Sequence, residues 1–390
     1  MTEIPDPQEQ ATQPLEQMAA IGVFEGVYGA FADVAKAKLQ RNEFVNGQVV
    51  PVELNPASEF VQEHFDVAQE KITPLDNTQV HSYQVHDNFI SEARTEASRE
   101  YGGRPAAIAT RLERANRVAG SFIDRATTMV RDGETDGLTV KTFFGSLDSL
   151  KHSLSRGYND LVRKSDESVP DQTTKDKYAQ TVQSIYGSKP NVEEQHNGGF
   201  IHVNGERYLQ SGEKTTDRYY ISPKLNGEPG EVVRVWAETL DELGLGEKLY
   251  YKVATGLARR YDTVIAYTSP ETAAETEQAI QTFARKCPPD LLSEMNMPSA
   301  VNVNRGISRA PETEQLNTLL RYRGKDTVSY NELAVGLTEL ALRRASYDFV
   351  KQGLQVSQVT PKLLSEASKP YFVQFIKLCG LDPADMKVAA

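Results

Sequence analysis

Arg218, Tyr220 and Lys252 are side chains whose types and spacing fit one chemistry. In "DRYYISPKL", residues 217–225, Arg218 and Tyr220 alternate with Tyr219 and Ile221. In a strand they therefore project to the same side. In "KLYYKVA", Lys252 shares a side with Tyr250 and Ala254 by the same parity. If the two strands are neighbours, one sheet face holds an arginine, a tyrosine and a lysine. A buried basic cluster is costly unless an anion compensates it. Phosphate is the natural anion, because arginine meets it with a planar fork of donors. The competing reading is an ordinary solvent-facing strand, whose charges need no explanation.

Other residues extend the candidate site. "GLARRYDTVIAY" places Arg259, Arg260 and Asp262 ahead of a strand that carries Tyr267. Asp262 is positioned to orient a base or to pair with Arg260; the bland alternative is a solvated turn. "NRGISRA" supplies Arg305 and Arg309 within a Gly/Ser stretch. Loops of that composition cradle anions with backbone N–H groups, although a charged surface loop reads the same way. His202, alternating with Phe200, is a candidate acid or base, or a satisfied strand residue. The six histidines show no HExxH-type spacing. The two cysteines, Cys287 and Cys379, form no CxxC pair, so no metal site is expected. Neither a GxSxG elbow nor a P-loop is present.

The bulk of the chain limits its partners. The formal charge is −11, and the first 60 residues hold nine acidic against three basic side chains. That balance argues against nucleic-acid binding, which requires a basic footprint. No apolar run reaches 18 residues, so no membrane span is expected. The start, MTEIPDPQEQATQP, lacks the basic and apolar regions of a Sec signal. A cytoplasmic location is expected, with export by a non-Sec route left open.

Four regions are expected to position the site. Residues 1–13 read as a disordered tail. Residues 14–186 read as a helical N-terminal region. Its first helix carries Leu15, Met18, Ile21, Phe24, Val27, Phe31 and Val34 at spacings of three and four, although its glycines weaken an unbroken rod. Further helices are expected within 84–132, 140–163 and 173–186. Residues 187–199 read as a linker. Residues 200–390 read as an α+β domain with a largely antiparallel sheet flanked by helices. Within it "FIHVNGERYLQ" is expected as a hairpin turning at Asn204-Gly205, an amphipathic helix is expected at 331–353, and a shorter one near 361–379.

The order "DRYYIS", helix, "LYYKVA", "RRYDTVIAY", "NRGISRA", helix resembles the HopA-type effector domain. That domain occurs in type III effectors of plant pathogens and in lyases of class V lanthipeptide biosynthesis. The resemblance spans 200–350, about 40% of the chain. The domain is distantly similar to phosphothreonine lyases, in which a lysine removes a Cα proton, a histidine protonates the leaving phosphate and basic residues clamp it. Their Lys-x-His-Ile-Ser strand here reads Arg218-Tyr219-Tyr220-Ile221-Ser222. The resemblance thus implies Lys252 as base and Tyr220 at the acid's place. It implies Arg218, Arg260, Arg305 and Arg309 as phosphate ligands and Tyr267 as a supporting residue; Asp262 and His202 stand beside them as the supporting residues read above from their positions. Tyrosine, with a pKa near 10, is a weaker acid than imidazolium. The implied reaction is cofactor-free β-elimination from phosphothreonine or phosphoserine in a peptide or protein. The alternative is a non-catalytic effector that docks on a host protein or a secretion chaperone.

Overall fold

The computed structural model describes residues 18–39, 43–45, 48–50, 94–95, 98, 104–109, 112–113, 170–189, 191–195, 199–211, 215–257, 262–312, 330–355 and 358–387. The expected tail 1–13, most of the expected helix at 84–132 and the expected helix at 140–163 lie outside them.

The protein is α+β. Its elements are α1 (Ala19–Leu39), β1 (Glu43–Val45), β2 (Gln48–Val50), α2 (Gln172–Tyr186), β3 (Val192–Gln195), β4 (Phe200–Val203), α3 (Gly205–Ser211) and β5 (Asp217–Ile221). They continue as α4 (Pro229–Glu242), β6 (Tyr251–Ala254), β7 (Val264–Thr268), α5 (Ala273–Lys286), β8 (Val301–Asn304), β9 (Ile307–Pro311), α6 (Tyr330–Lys351) and α7 (Pro361–Leu378). Strands β3 to β9 form one seven-stranded sheet in the order β3-β4-β6-β7-β5-β9-β8. Every described pairing in it is antiparallel.

Helices cover both sides of this sheet. On one side α2, α4 and α5 pack a core that includes Tyr178, Val182, Trp236, Leu240, Ile280 and Phe283 against Val253, Val264 and Ile221. On the other side α1, α6 and α7 bury Phe24, Leu337 and Phe372 against Phe200, Tyr220 and Ile265. Sheets buried on both faces require continuous apolar strands, and all five residues of β7 are buried. The helices start where local chemistry directs. Asp171 caps α2 by accepting from Thr174 N at 2.7 Å, Pro229 opens α4, and Thr360 caps α7. Each satisfies or removes a donor that helix geometry leaves unpaired.

Three stretches differ from expectation. The segment 187–199 carries β3, the edge strand paired to β4. The Asn204-Gly205 pair makes no hairpin. Asn204 does adopt a positive φ of 60°, but its side chain donates to Gly246 O at 3.0 Å and Leu249 O at 2.8 Å. The chain then enters α3, and the partners of β4 are β3 and β6 instead. "NRGISRA" is no loop: Arg305-Gly306 turns β8 into β9, with Gly306 at φ 64°. That turn leaves Arg309 on a strand.

Helix α1 is integral to the sheet's helical cover rather than to a separate N-terminal unit. Its first N–H groups donate to Ala384 O and Pro383 O, both at 3.0 Å. Phe24 meets Phe372 with ring centroids 5.5 Å apart, and Tyr28 donates to Pro361 O at 2.6 Å. Gly26 is required by this seat, since a Cβ there would lie 2.3 Å from Pro298 O. Gly22 faces open space. We therefore expect Gly26→Ala to lower unfolding stability by about 2 kcal/mol through overpacking. Gly22→Ala should raise it by about 0.8 kcal/mol through helix propensity. Urea titration of the full chain reads both, and equal effects would refute the seat.

Candidate functional site

Strand register places the predicted residues in two parallel rows on the side covered by α1, α6 and α7. One row runs His202 (β4), Lys252 (β6), Ile265 (β7), Tyr220 (β5) and Ser308 (β9). The next runs Tyr250, Tyr267, Arg218 and Ala310. The shared face expected for Arg218, Tyr220 and Lys252 is therefore present. Its spacing is informative. Strands lie about 4.8 Å apart, so Lys252 stands directly beside His202, whereas Ile265 separates it from Tyr220 by two strand spacings.

Lys252 is half-buried, with Nζ 4.6 Å from the Phe200 ring centroid and 5.7 Å from that of Tyr267. His202 Nδ1 and the Tyr250 hydroxyl form a hydrogen bond of 3.0 Å. Tyr250 is the centre of an aromatic stack. Its ring lies 4.4 Å from Tyr267 and 4.8 Å from Tyr208, both nearly parallel to it. Offset stacking of this kind fixes ring positions beyond what burial alone achieves. Tyr208 comes from α3, the helix that replaces the expected second hairpin strand, and its hydroxyl bonds Thr215 Oγ1 at 2.7 Å.

Arg218 caps the other end of the stack, with its guanidinium carbon 5.1 Å from the Tyr267 centroid. Its fork is taken by Glu312. Nε donates to Oε2 at 2.5 Å, and Nη2 donates to Oε1. Burial works against the Arg218 charge, yet the neighbouring Tyr220, Glu312 and Tyr267 raise its pKa above the usual arginine value. Tyr220 is 2% exposed. Burial pushes its hydroxyl well above the usual tyrosine pKa, against the opposing charge of Arg218. That makes it a poorer acid than an ordinary tyrosine. Asp262 is buried at the approach to β7, and its charge adds to the upward shifts of Tyr220 and Tyr267.

Arg309 and Arg305 do not join this face. Arg309 pairs in register with Tyr219, so it projects to the opposite side. There it donates to Asp217 Oδ1 at 2.8 Å and to Asp385 O. Arg305 sits in the β8–β9 turn and donates to Glu294 at 2.9 Å in an exposed pair. Exposed pairs of that kind contribute little. Arg260 lies outside the described residues.

Two members of the face were absent from the predicted site. Tyr250 was within reach of the pattern, because it lies two residues before Lys252. Glu312 was not, because nothing in "SRAPE" indicates that the chain crosses beside Arg218 there. Among the described residues no group of three or more metal-ligating side chains occurs, and no helix is long and apolar enough to cross a membrane.

No family model matches the chain, and no curated protein matches it. Two solved bacterial effector structures are similar to it. The effector protein from Pseudomonas syringae pv. tomato strain DC3000 is 14% identical, with a TM-score of 0.39, covering 63% of this chain and 97% of that one. The effector protein from Pseudomonas syringae pv. syringae strain 61 is 16% identical, with a TM-score of 0.37, covering 65% and 99%.

The tyrosines of the face make a testable statement about pH. Burial pushes Tyr267 up to about 12. An unfolded tyrosine titrates near 10. The stabilising difference is therefore complete below pH 10 and is lost as pH rises from 10 through 12, at about 1.4 kcal/mol per pH unit. We expect Tyr267→Phe to reduce the stability lost between pH 9 and pH 11 by about 1 kcal/mol, measured by urea unfolding at both values. An unchanged loss would show that Tyr267 titrates normally.

Proposed function

We propose that the Lys252–His202–Tyr250 face recognises a phosphorylated side chain of a peptide or partner protein and docks it without turnover. The supporting observation is the pairing of the arginines. Elimination of phosphate needs cationic donors aimed at the charge that develops on the leaving group. Among the described residues Arg309 holds Asp217 on the other side of the sheet and Arg305 holds Glu294 in the β8–β9 turn, so Arg218, paired with Glu312, is the one arginine of the three on this face. A lysine point charge, an imidazole and a tyrosine hydroxyl suit recognition of a phosphoryl group. The effector part of this reading rests on the HopA-type resemblance of residues 200–350. A host protein or a secretion chaperone is the kind of partner it implies.

The Lys252–His202 register favours a second reading, β-elimination. Lys252 would take the Cα proton, whose electron pair forms the Cα=Cβ bond as the Cβ–O bond breaks. His202, rather than the buried Tyr220, would donate a proton to the departing phosphate. The products would be a dehydroamino acid and inorganic phosphate.

Incubation of the full chain with a phosphothreonine peptide library separates the two. We expect binding that depends on the phosphoryl group, weakened about tenfold by Lys252→Ala, the worth of one charge-assisted contact. We expect no loss of phosphoric acid by mass spectrometry. Phosphoric acid loss that Lys252→Ala and His202→Ala each abolish would replace docking with elimination. Absence of both binding and loss would refute the phosphate reading.

A further inference from the structure

We infer that Glu312 is an internal competitor for the docking face, occupying the Arg218 fork until a dianionic phosphoryl group displaces it. The inference rests on the docking reading above and names how that site is regulated. Its starting point is the geometry around one ring. Arg218 and Lys252 both approach Tyr267, at 5.1 and 5.7 Å from its centroid. Tyr267 is itself held by the stack through Tyr250 and Tyr208. The two cations are thus set around a fixed platform on a single face of the sheet.

Glu312 satisfies half of that arrangement. Its carboxylate accepts two bonds from Arg218, the bidentate pattern that a phosphoryl group also makes with a guanidinium. A carboxylate carries one charge, whereas a phosphomonoester carries nearly two at neutral pH and has three acceptor oxygens. A phosphoryl group can therefore take over the Arg218 fork while its remaining charge is drawn toward Lys252. The pair is also accessible. The side chains of Arg218 and Glu312 are 20% and 18% exposed, so the pair lies at the margin of the core rather than inside it. Glu312 directly follows β9, and its N–H donates to Thr216 O at 2.7 Å. That bond holds its backbone, so displacement need move only its side chain.

The test uses the full chain and N-acetyl-phosphothreonine amide as a probe that carries no sequence preference. Binding is read by calorimetry for the native chain, Glu312→Gln and Arg218→Gln. We expect Glu312→Gln to bind about tenfold tighter than the native chain, from the gain of one charge-assisted bond. Arg218→Gln should bind more weakly than the native chain. Equal affinity of Glu312→Gln and the native chain would overturn the competitor role while leaving docking at Lys252 intact. Absence of probe binding in every form would overturn the docking reading and this inference together. Should Glu312→Gln fail to fold, titration of the native chain followed at the Arg218 Nε–Hε resonance decides the matter. A saturable shift on adding the probe supports displacement, and an unmoved resonance refutes it.

Discussion

A sheet covered by helices on both faces leaves a charged side chain only its margins. The central strand β7 is buried along its whole length, and its neighbours share that burial in part. Any arginine on β5 or β9 must therefore bring a counter-charge, because an unpaired buried cation is far more costly than a paired one. The structure meets this constraint twice at the same end of the sheet. Arg218 pairs with Glu312 on one side, and Arg309 pairs with Asp217 on the other. Parity along two adjacent strands sends these arginines in opposite directions. The same constraint explains the tyrosines. A ring that buries its body and keeps a hydroxyl at the edge fills the boundary between apolar core and polar margin.

Much of this was legible in the strands themselves. Alternation alone placed Arg218 and Tyr220 on one side and Tyr250 and Lys252 on one side; register sets both pairs on one face but leaves β7 between Lys252 and Tyr220. The antiparallel sheet and its flanking helices also followed from alternation and capping chemistry. What pattern could not supply was order across the sheet. Whether Lys252 neighbours Tyr220 or His202 depends on β4 pairing with β6 and on β7 lying between β6 and β5. These are long-range pairings that no local spacing encodes. Asn204-Gly205 misled for a related reason. An Asn-Gly pair supplies the positive φ of a hairpin turn, but the Asn204 amide also bonds the turn before β6. A tertiary contact thus uses the same conformation to begin a helix. Arg309 was misplaced because "NRGISRA" has a loop's composition, yet its two-residue turn belongs to a hairpin.

The position of α1 alters how the chain divides. A boundary drawn by composition separates an N-terminal helical half from a C-terminal α+β half. Yet α1 buries Ala20, Ile21, Val23, Phe24 and Val27 against the C-terminal helices. The carbonyls of Pro383 and Ala384 accept from its first turn. Those bonds satisfy donors that every helix leaves unpaired at its start. Helix α1 and the segment at 383–384 are thereby held together, and the apolar faces of α6 and α7 are closed by a helix that precedes them by some three hundred positions. Lys369 strengthens the seat with Glu25 and Glu366, each at 2.8 Å.

The energetics of the Arg218–Glu312 pair bear on why it exists. Replacing a fully buried ion pair by apolar residues of similar volume is often neutral or stabilising, by about 1–4 kcal/mol, and this pair is only part-buried, at 20% and 18% exposure. Packing alone therefore gives little reason to place a guanidinium beside Tyr267, where a leucine would serve the core as well. An arginine there contributes something an apolar side chain lacks: a rigid, bidentate, permanently charged fork at the edge of a stacked platform. Glu312 then prevents that fork from being left as an unsatisfied charge in the unbound protein. Under the docking we propose, the carboxylate and the guanidinium match because the fork then has two partners in turn, its own chain and an anion of the same geometry and greater charge.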